Sequence, residues 1–200
     1  MWSTLWLLLS SSLLAQVLAA DYEMILEDSD VFEDCTDAPP GAVNIHGLMD
    51  LSDITMHLDG YKVRVEGTAR TNWNIQPGDR IAGGITIMKF NRGLWEPTLL
   101  NIATQDFCKM MYNPNEYWYK YWTRFVTNAA DVKDKCLSNP GTIMEHEPFD
   151  LEMRLYNMRG PILQGRYKLV ATLEAFDKEN HRRPESVCFE IRGDFEQINQ

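Results

Sequence analysis

The 200-residue sequence predicts a mostly β domain of the sandwich or cup type, with one aromatic-rich helix and two disulfides. Three observations predict it. Several short segments alternate apolar and polar residues and are separated by turn residues. Four cysteines stand behind an uncharged apolar N-terminus, the arrangement of an exported, disulfide-bonded chain. One segment alone carries helical start signals.

The strands follow in order. "LSDITMHL" (51–58) and "YKVRVEGTAR" (61–70) flank Asp59-Gly60, a two-residue hairpin signal. In the second run Val63, Val65, Gly67 and Ala69 share one face, and Lys62, Arg64, Glu66 and Thr68 share the other. "DRIAGGITIMKF" (79–90) keeps Ile81, Ile85 and Ile87 in phase, and Gly83-Gly84 points to a bulge or a close backbone approach. "LWEPTLLNIA" follows the turn at Asn91-Arg92-Gly93, with Pro97 marking an edge or a bend. A long C-terminal hairpin closes the chain. Tyr167, Leu169, Ala171, Leu173 and Ala175 lie on one face of its first strand, and Val187, Phe189 and Ile191 on one face of its second. Its polar connection, 177–185, holds His181-Arg182-Arg183 and reads as a solvated turn.

The helix is "NEYWYKYWTRFV", residues 115–126, with six aromatic rings in nine positions. Asn113 can cap it, Pro114 fits the first helical position, and Glu116 falls three residues after the cap. At about 100° per residue its apolar side chains sweep roughly 200°, about twice the stripe of an ordinary surface helix. Such a helix is buried on two sides, or else half of it faces something other than its own sheet.

Residues 1–20 carry no charged side chain and end in small residues before Asp21, as a secretory signal peptide does. Residues 10–12 and Gln16 interrupt the apolar run, which speaks against a membrane anchor. Residues 21–37 hold eight acids and no base, within a net charge of −10. They read as a solvated, mobile N-terminal arm, with an acidic patch that steers a basic partner as the alternative. This charge does not suit nucleic acid. Asp37-Ala-Pro-Pro-Gly41 ends the arm, so the organisation is a signal peptide (1–20), an acidic arm and turn (21–41) and one domain (42–200).

No catalytic pattern emerges. Glu145-His146-Glu147 lacks a second histidine at helical spacing, so it reads as a surface histidine among acids rather than a metal site. There is no G-x-S-x-G elbow and no C-x-x-C pair, and no cofactor is expected. Ten methionines favour an adaptable apolar interior, and Met110, Met111, Met144, Met153 and Met158 fall in the same half as the aromatic helix.

Three stretches carry a resemblance: "NRGLWEPTLLNIATQDFCKMMYNPNEYWYKYWTRF", "DVKDKCLSNPGTIMEHEPFDL" and "GPILQGRYKLVATLEAFDKENHRRPESVCFEIRGDF", together with "DVFEDC", "PPG" and "WNIQPGDRI". In combination, over roughly residues 22–198, they resemble the insect CheB-type chemosensory proteins, themselves similar to the ganglioside activator branch of the ML lipid-recognition superfamily. The resemblance implies an immunoglobulin-like two-sheet cup around an apolar cavity, and the pairings Cys35 with Cys188 and Cys108 with Cys136. On loop entropy alone those closures contribute about 5 and about 3.5 kcal/mol. It further implies a secreted, non-enzymatic binding protein for a lipid or cuticular hydrocarbon in insect taste and pheromone perception. The alternative is an extracellular accessory of a sensory-neuron receptor or channel. Cavity chemistry, rather than the resemblance, selects Trp118, Tyr121, Trp122 and Phe125 as ligand-binding candidates, with Met110 and Trp95 behind them.

Overall fold

Alternation is strongest in the C-terminal hairpin, and the larger sheet is built on that hairpin. The computed structural model describes residues 19–28, 30–160 and 162–198. The predicted signal peptide lies outside these residues except for Ala19 and Ala20. In chain order the strands are β1 (Ala20–Leu26), β2 (Glu33–Asp34), β3 (Ala42–Val43), β4 (Met49–Asp50), β5 (Ile54–Asp59), β6 (Lys62–Thr71), β7 (Arg80–Asn91), β8 (Leu94–Thr104), β9 (Ile143–Leu151), β10 (Arg154–Met158), β11 (Gly165–Phe176) and β12 (Arg182–Ile198). Four short helices interrupt them: α1 (Ile45–Leu48), α2 (Phe107–Met110), α3 (Tyr117–Tyr121) and α4 (Ala129–Val132).

The predicted fold class holds: the protein is mostly β, with curled antiparallel sheets, short helices and the two disulfides Cys35–Cys188 and Cys108–Cys136. The larger sheet runs β10-β1-β12-β11-β7-β8. The smaller has β6 at its centre, with β4 and β5 along one edge and β9 along the other. The predicted hairpin turns at Gly60, which takes a positive φ of 62° as its two-residue turn demands. Gly83 resolves as a close approach rather than a bulge. A Cβ there would sit 3.0 Å from Leu173 and 3.3 Å from Phe107, so the missing side chain lets Phe107 seat on β7. The bulge falls further on, between Thr86 and Met88, opposite Pro97 of the edge strand β8.

The acidic N-terminal arm needs correction. Residues 20–26 are not solvated; they form β1, an internal strand between β10 and β12. Tyr22, Met24 and Leu26 are buried, while the acids between them find cations. Glu23 takes Arg154 at 2.8 Å, Glu27 takes Arg166, and Glu33 takes Arg192 at 2.8 Å. β1, β2 and β3 then lie in turn along one edge of the 17-residue β12. Three acids of this segment, Glu23, Glu27 and Glu33, are therefore paired with arginines of the body.

The polar face of β11 and β12 holds a buried ion pair. Lys168 and Glu190, each 1 % exposed, meet at 2.8 Å. Glu190 also accepts from the Thr36 amide at 2.9 Å and from Arg192 at 2.8 Å. Burial pushes its carboxyl up, but the hydrogen bonds from Lys168, the Thr36 amide and Arg192 outweigh this and hold it below the usual range. Cys35 and Thr36 are thus fixed to β12 by a disulfide and by a carboxylate two residues apart on one strand face. The connecting turn is likewise less free than its charge suggested: Arg183 grips Asp79 through two hydrogen bonds of 2.8 Å.

Lys168→Met is expected to cost about 3–5 kcal/mol, because it strands a buried carboxylate. Adding Glu190→Leu should recover part of that loss, as measured by denaturant unfolding. If the double variant is as unstable as the single one, the pair is not what Lys168 contributes.

Candidate functional site

Between the two sheets lies a cavity of about 420 Å³ that no side chain fills. Its walls come from both halves of the chain. β11 and β12 contribute their inward faces, Leu169, Ala171, Leu173, Phe189, Ile191 and Phe195. These are the faces that alternation identified in the sequence. β7 and β8 add Ile85, Ile87, Leu100 and Ile102. Val31 and Phe32, from the segment that Cys35 anchors, close one end. No Asp, Glu, Lys, Arg or His stands among the lining residues.

The aromatic segment forms a further wall, but it is not the predicted twelve-residue helix. Asn113 accepts from the Asn115 amide at 3.1 Å, making a local turn instead of a helix cap. The helix spans only Tyr117–Tyr121, with Glu116 at its N-cap. It stops because Trp122 leaves helical geometry (φ −140°, ψ −69°) before a 3₁₀ turn at Thr123–Phe125. The buried Thr123 hydroxyl donates to the Met111 carbonyl and pins that turn against α2. Cys108–Cys136 closes a 28-residue separation around the whole assembly.

This break explains the wide apolar arc. Trp118 packs edge-on against Phe107 at 4.9 Å, toward the larger sheet. Trp122 packs on His146 at 4.8 Å and on Phe149 at 6.1 Å, both from the smaller sheet. Tyr117 and Tyr121 stack on each other with centroids 6.2 Å apart. All four line the cavity, so the segment bridges the sheets rather than lying on one. The Tyr121 hydroxyl donates to the Arg154 carbonyl, and burial, then Tyr117 and Tyr156, push its phenol up.

Of the six candidates, Trp118, Tyr121 and Trp122 are cavity-lining residues. Phe125 is not among them; it stacks face to face on Phe149 at 3.8 Å, in the core of the smaller sheet. Met110 is not either: the neighbouring Met111, 2 % exposed, takes the inward position one helical step on. Trp95 sits opposite Phe90 on β8 and covers the outer face, with Lys168 5.1 Å from its ring. Met144, Met153 and Met158 do line the cavity. Sequence reasoning missed Val31 and Phe32, because charge counting assigned them to a solvated arm, and gave β8 as a strand without its inward residues Leu100 and Ile102.

His146 also needs correction. It is 7 % exposed rather than a surface residue, because β9 alternates Met144 and His146 inward against Ile143, Glu145 and Glu147 outward. Neither ring nitrogen makes a well-formed hydrogen bond. Burial pushes its pKa down to about 4; the backbone of Met144 and Gly67 opposes this more weakly.

Two predictions follow from this geometry. The folded state keeps His146 neutral, whereas the unfolded chain protonates it near its ordinary 6.5. Stability therefore falls as pH drops from about 6.5 to about 4, by up to about 3 kcal/mol, and this contribution levels off below. His146→Leu should be near neutral at pH 7 and should lose that part of the pH dependence in unfolding titrations; parallel wild-type and variant profiles would contradict it. Trp122→Ala should lose about 3–5 kcal/mol through the cavity it opens between the sheets. Tyr117→Phe should stay within about 0.5 kcal/mol. Equal losses would show that both rings are core.

No protein-family model matches the chain, and no curated protein matches it.

Proposed function

We propose that the protein is a secreted, non-enzymatic binding protein for one apolar small molecule, a lipid or a hydrocarbon. The observation that carries this reading is the cavity itself. Protein interiors are packed like organic crystals. An apolar space of 420 Å³ that opens to the surface leaves its lining side chains facing water instead of one another, at the cost of the contacts a packed core would make. A ligand that fills the space offsets the cost, and the volume lies within the usual range for small-molecule sites. The disulfides are compatible with export, and no described helix is long and apolar enough to cross a membrane.

The resemblance to the CheB-type chemosensory proteins supports a setting in insect taste or pheromone perception, where a protein would solubilise, present or remove a cuticular lipid. The alternative, an accessory of a receptor or channel acting through an acidic arm, has less support. Glu23, Glu27 and Glu33 of that segment are engaged by arginines of the fold.

Purified protein should take up the fluorescent apolar probe phenylnaphthylamine and release it to long-chain lipids. Ala171→Phe, which places a ring inside the cavity, should abolish uptake without lowering the thermal midpoint. Uptake that survives in this variant, or its absence from the wild type, would overturn the reading.

A further inference from the structure

The cavity specifies more than an apolar ligand. Resting on the reading above, we propose that it takes a single unbranched chain, with about 15–17 carbons inside and a neutral oxygen group at the mouth, as in a long-chain alcohol, aldehyde or ester.

The chain count comes from volume. A cavity of about 150 Å³ accommodates benzene, or about 25 Å³ per carbon. At similar packing, 420 Å³ holds about 15–17 carbons. One long chain fills that space, whereas a two-chain lipid would leave its second chain in water, losing the hydrophobic gain of every exposed methylene.

The position of the oxygen comes from the polar groups. Besides the indoles of Trp118 and Trp122, four described lining residues carry polar side chains: Asn101, Tyr117, Tyr121 and Thr123. Two are already used, since the Thr123 hydroxyl donates to the Met111 carbonyl and the Tyr121 hydroxyl to the Arg154 carbonyl. Tyr117 makes no side-chain hydrogen bond among the described residues. It is 40 % exposed, so the cavity reaches the surface at α3 and the uncommitted Tyr117 hydroxyl stands at that opening. Asn101, paired with the exposed Thr86, turns its side chain to the outer face of β8. A phenol at the opening can hydrogen-bond a hydroxyl or carbonyl. The lining holds no cation that would favour an anion.

The test is displacement of phenylnaphthylamine from the full chain by alkanes, primary alcohols and fatty acids of graded length, and by diacylglycerols. Affinity should rise about fourfold per methylene and stop rising near about 17 carbons. Alcohols should bind about 2- to 10-fold tighter than matched alkanes, the worth of one or two hydrogen bonds. Tyr117→Phe should bring that ratio toward one. Gains that continue well beyond about 20 carbons, a preference for diacylglycerol, or a fatty acid more than about tenfold tighter than its alcohol would overturn the inference while leaving apolar binding intact. So would an alcohol-to-alkane ratio that Tyr117→Phe leaves unchanged. Displacement by none of these compounds would overturn the binding reading and this inference together.

Discussion

The buried Lys168–Glu190 pair is where the two ends of the chain become one structure. A carboxylate that is 1 % exposed on a strand is intolerable unless every lone pair is met. Lys168 alone does not meet them; the Thr36 amide and Arg192 do the rest. Glu190 thus selects a conformation of residues 35–36 from across the sequence, and the adjacent Cys35–Cys188 bond makes that choice covalent. Once Cys35 and Thr36 are placed, Phe32 is delivered against Phe189 at 5.4 Å and Trp122 at 6.4 Å, at one end of the cavity. A polar node on the outside of the larger sheet therefore determines an apolar wall on its inside.

The second constraint acts from the opposite side. Two sheets that pack freely bring their inner side chains into contact and leave no chamber. Here α3 and the 3₁₀ turn stand between them, with Trp118 on Phe107 and Trp122 on His146 and Phe149. The rings act as spacers, and the disulfide and the Thr123 hydroxyl hold the spacers in place. Burial of His146 without a hydrogen-bond partner is a cost of this packing: the position is filled for its ring, not for its nitrogens.

Much of the fold was legible because its strands alternate. Of the inward faces of β11 and β12 read from period-two spacing, Leu169, Ala171, Leu173, Phe189 and Ile191 form cavity walls, while Tyr167, Ala175 and Val187 pack in the core. What was not legible had physical causes. "DYEMIL" alternates as cleanly as any strand, with Tyr22, Met24 and Leu26 inward, but net charge hid the pattern; the cations that neutralise it lie more than a hundred residues away. A long helix was expected because turn signals at Asn113 and Pro114 resemble helix-start signals, and only the tertiary tether from Thr123 to Met111 ends the helix at Trp122. His146 looked like a surface residue because its flanking acids were read as its environment, although on a strand neighbours point the other way. Phe125 and Trp95 were plausible by residue type alone, and residue type does not say which side of a wall a ring takes.

Where local pattern and fold agree everywhere, a core closes; where they part, function is the usual reason. The cavity is such a place. Ala171 lies between Leu169 and Leu173 on a strand that could carry a larger side chain, and a ring there would remove much of the space. The chain instead keeps the volume and surrounds it with methionine and aromatic side chains, which adapt to a guest at small cost in strain. A cavity so built links binding to folding. On the proposed reading, every methylene that enters recovers packing the empty fold forgoes, so occupancy raises stability with the logarithm of ligand concentration relative to the dissociation constant. On that reading, the uncommitted Tyr117 hydroxyl at the opening decides which end of the guest stays outside. Selectivity then rests on the shape of the space and on that one hydrogen-bonding group, while the buried Lys168–Glu190 pair and the arginine partners of Glu23, Glu27 and Glu33 serve the fold.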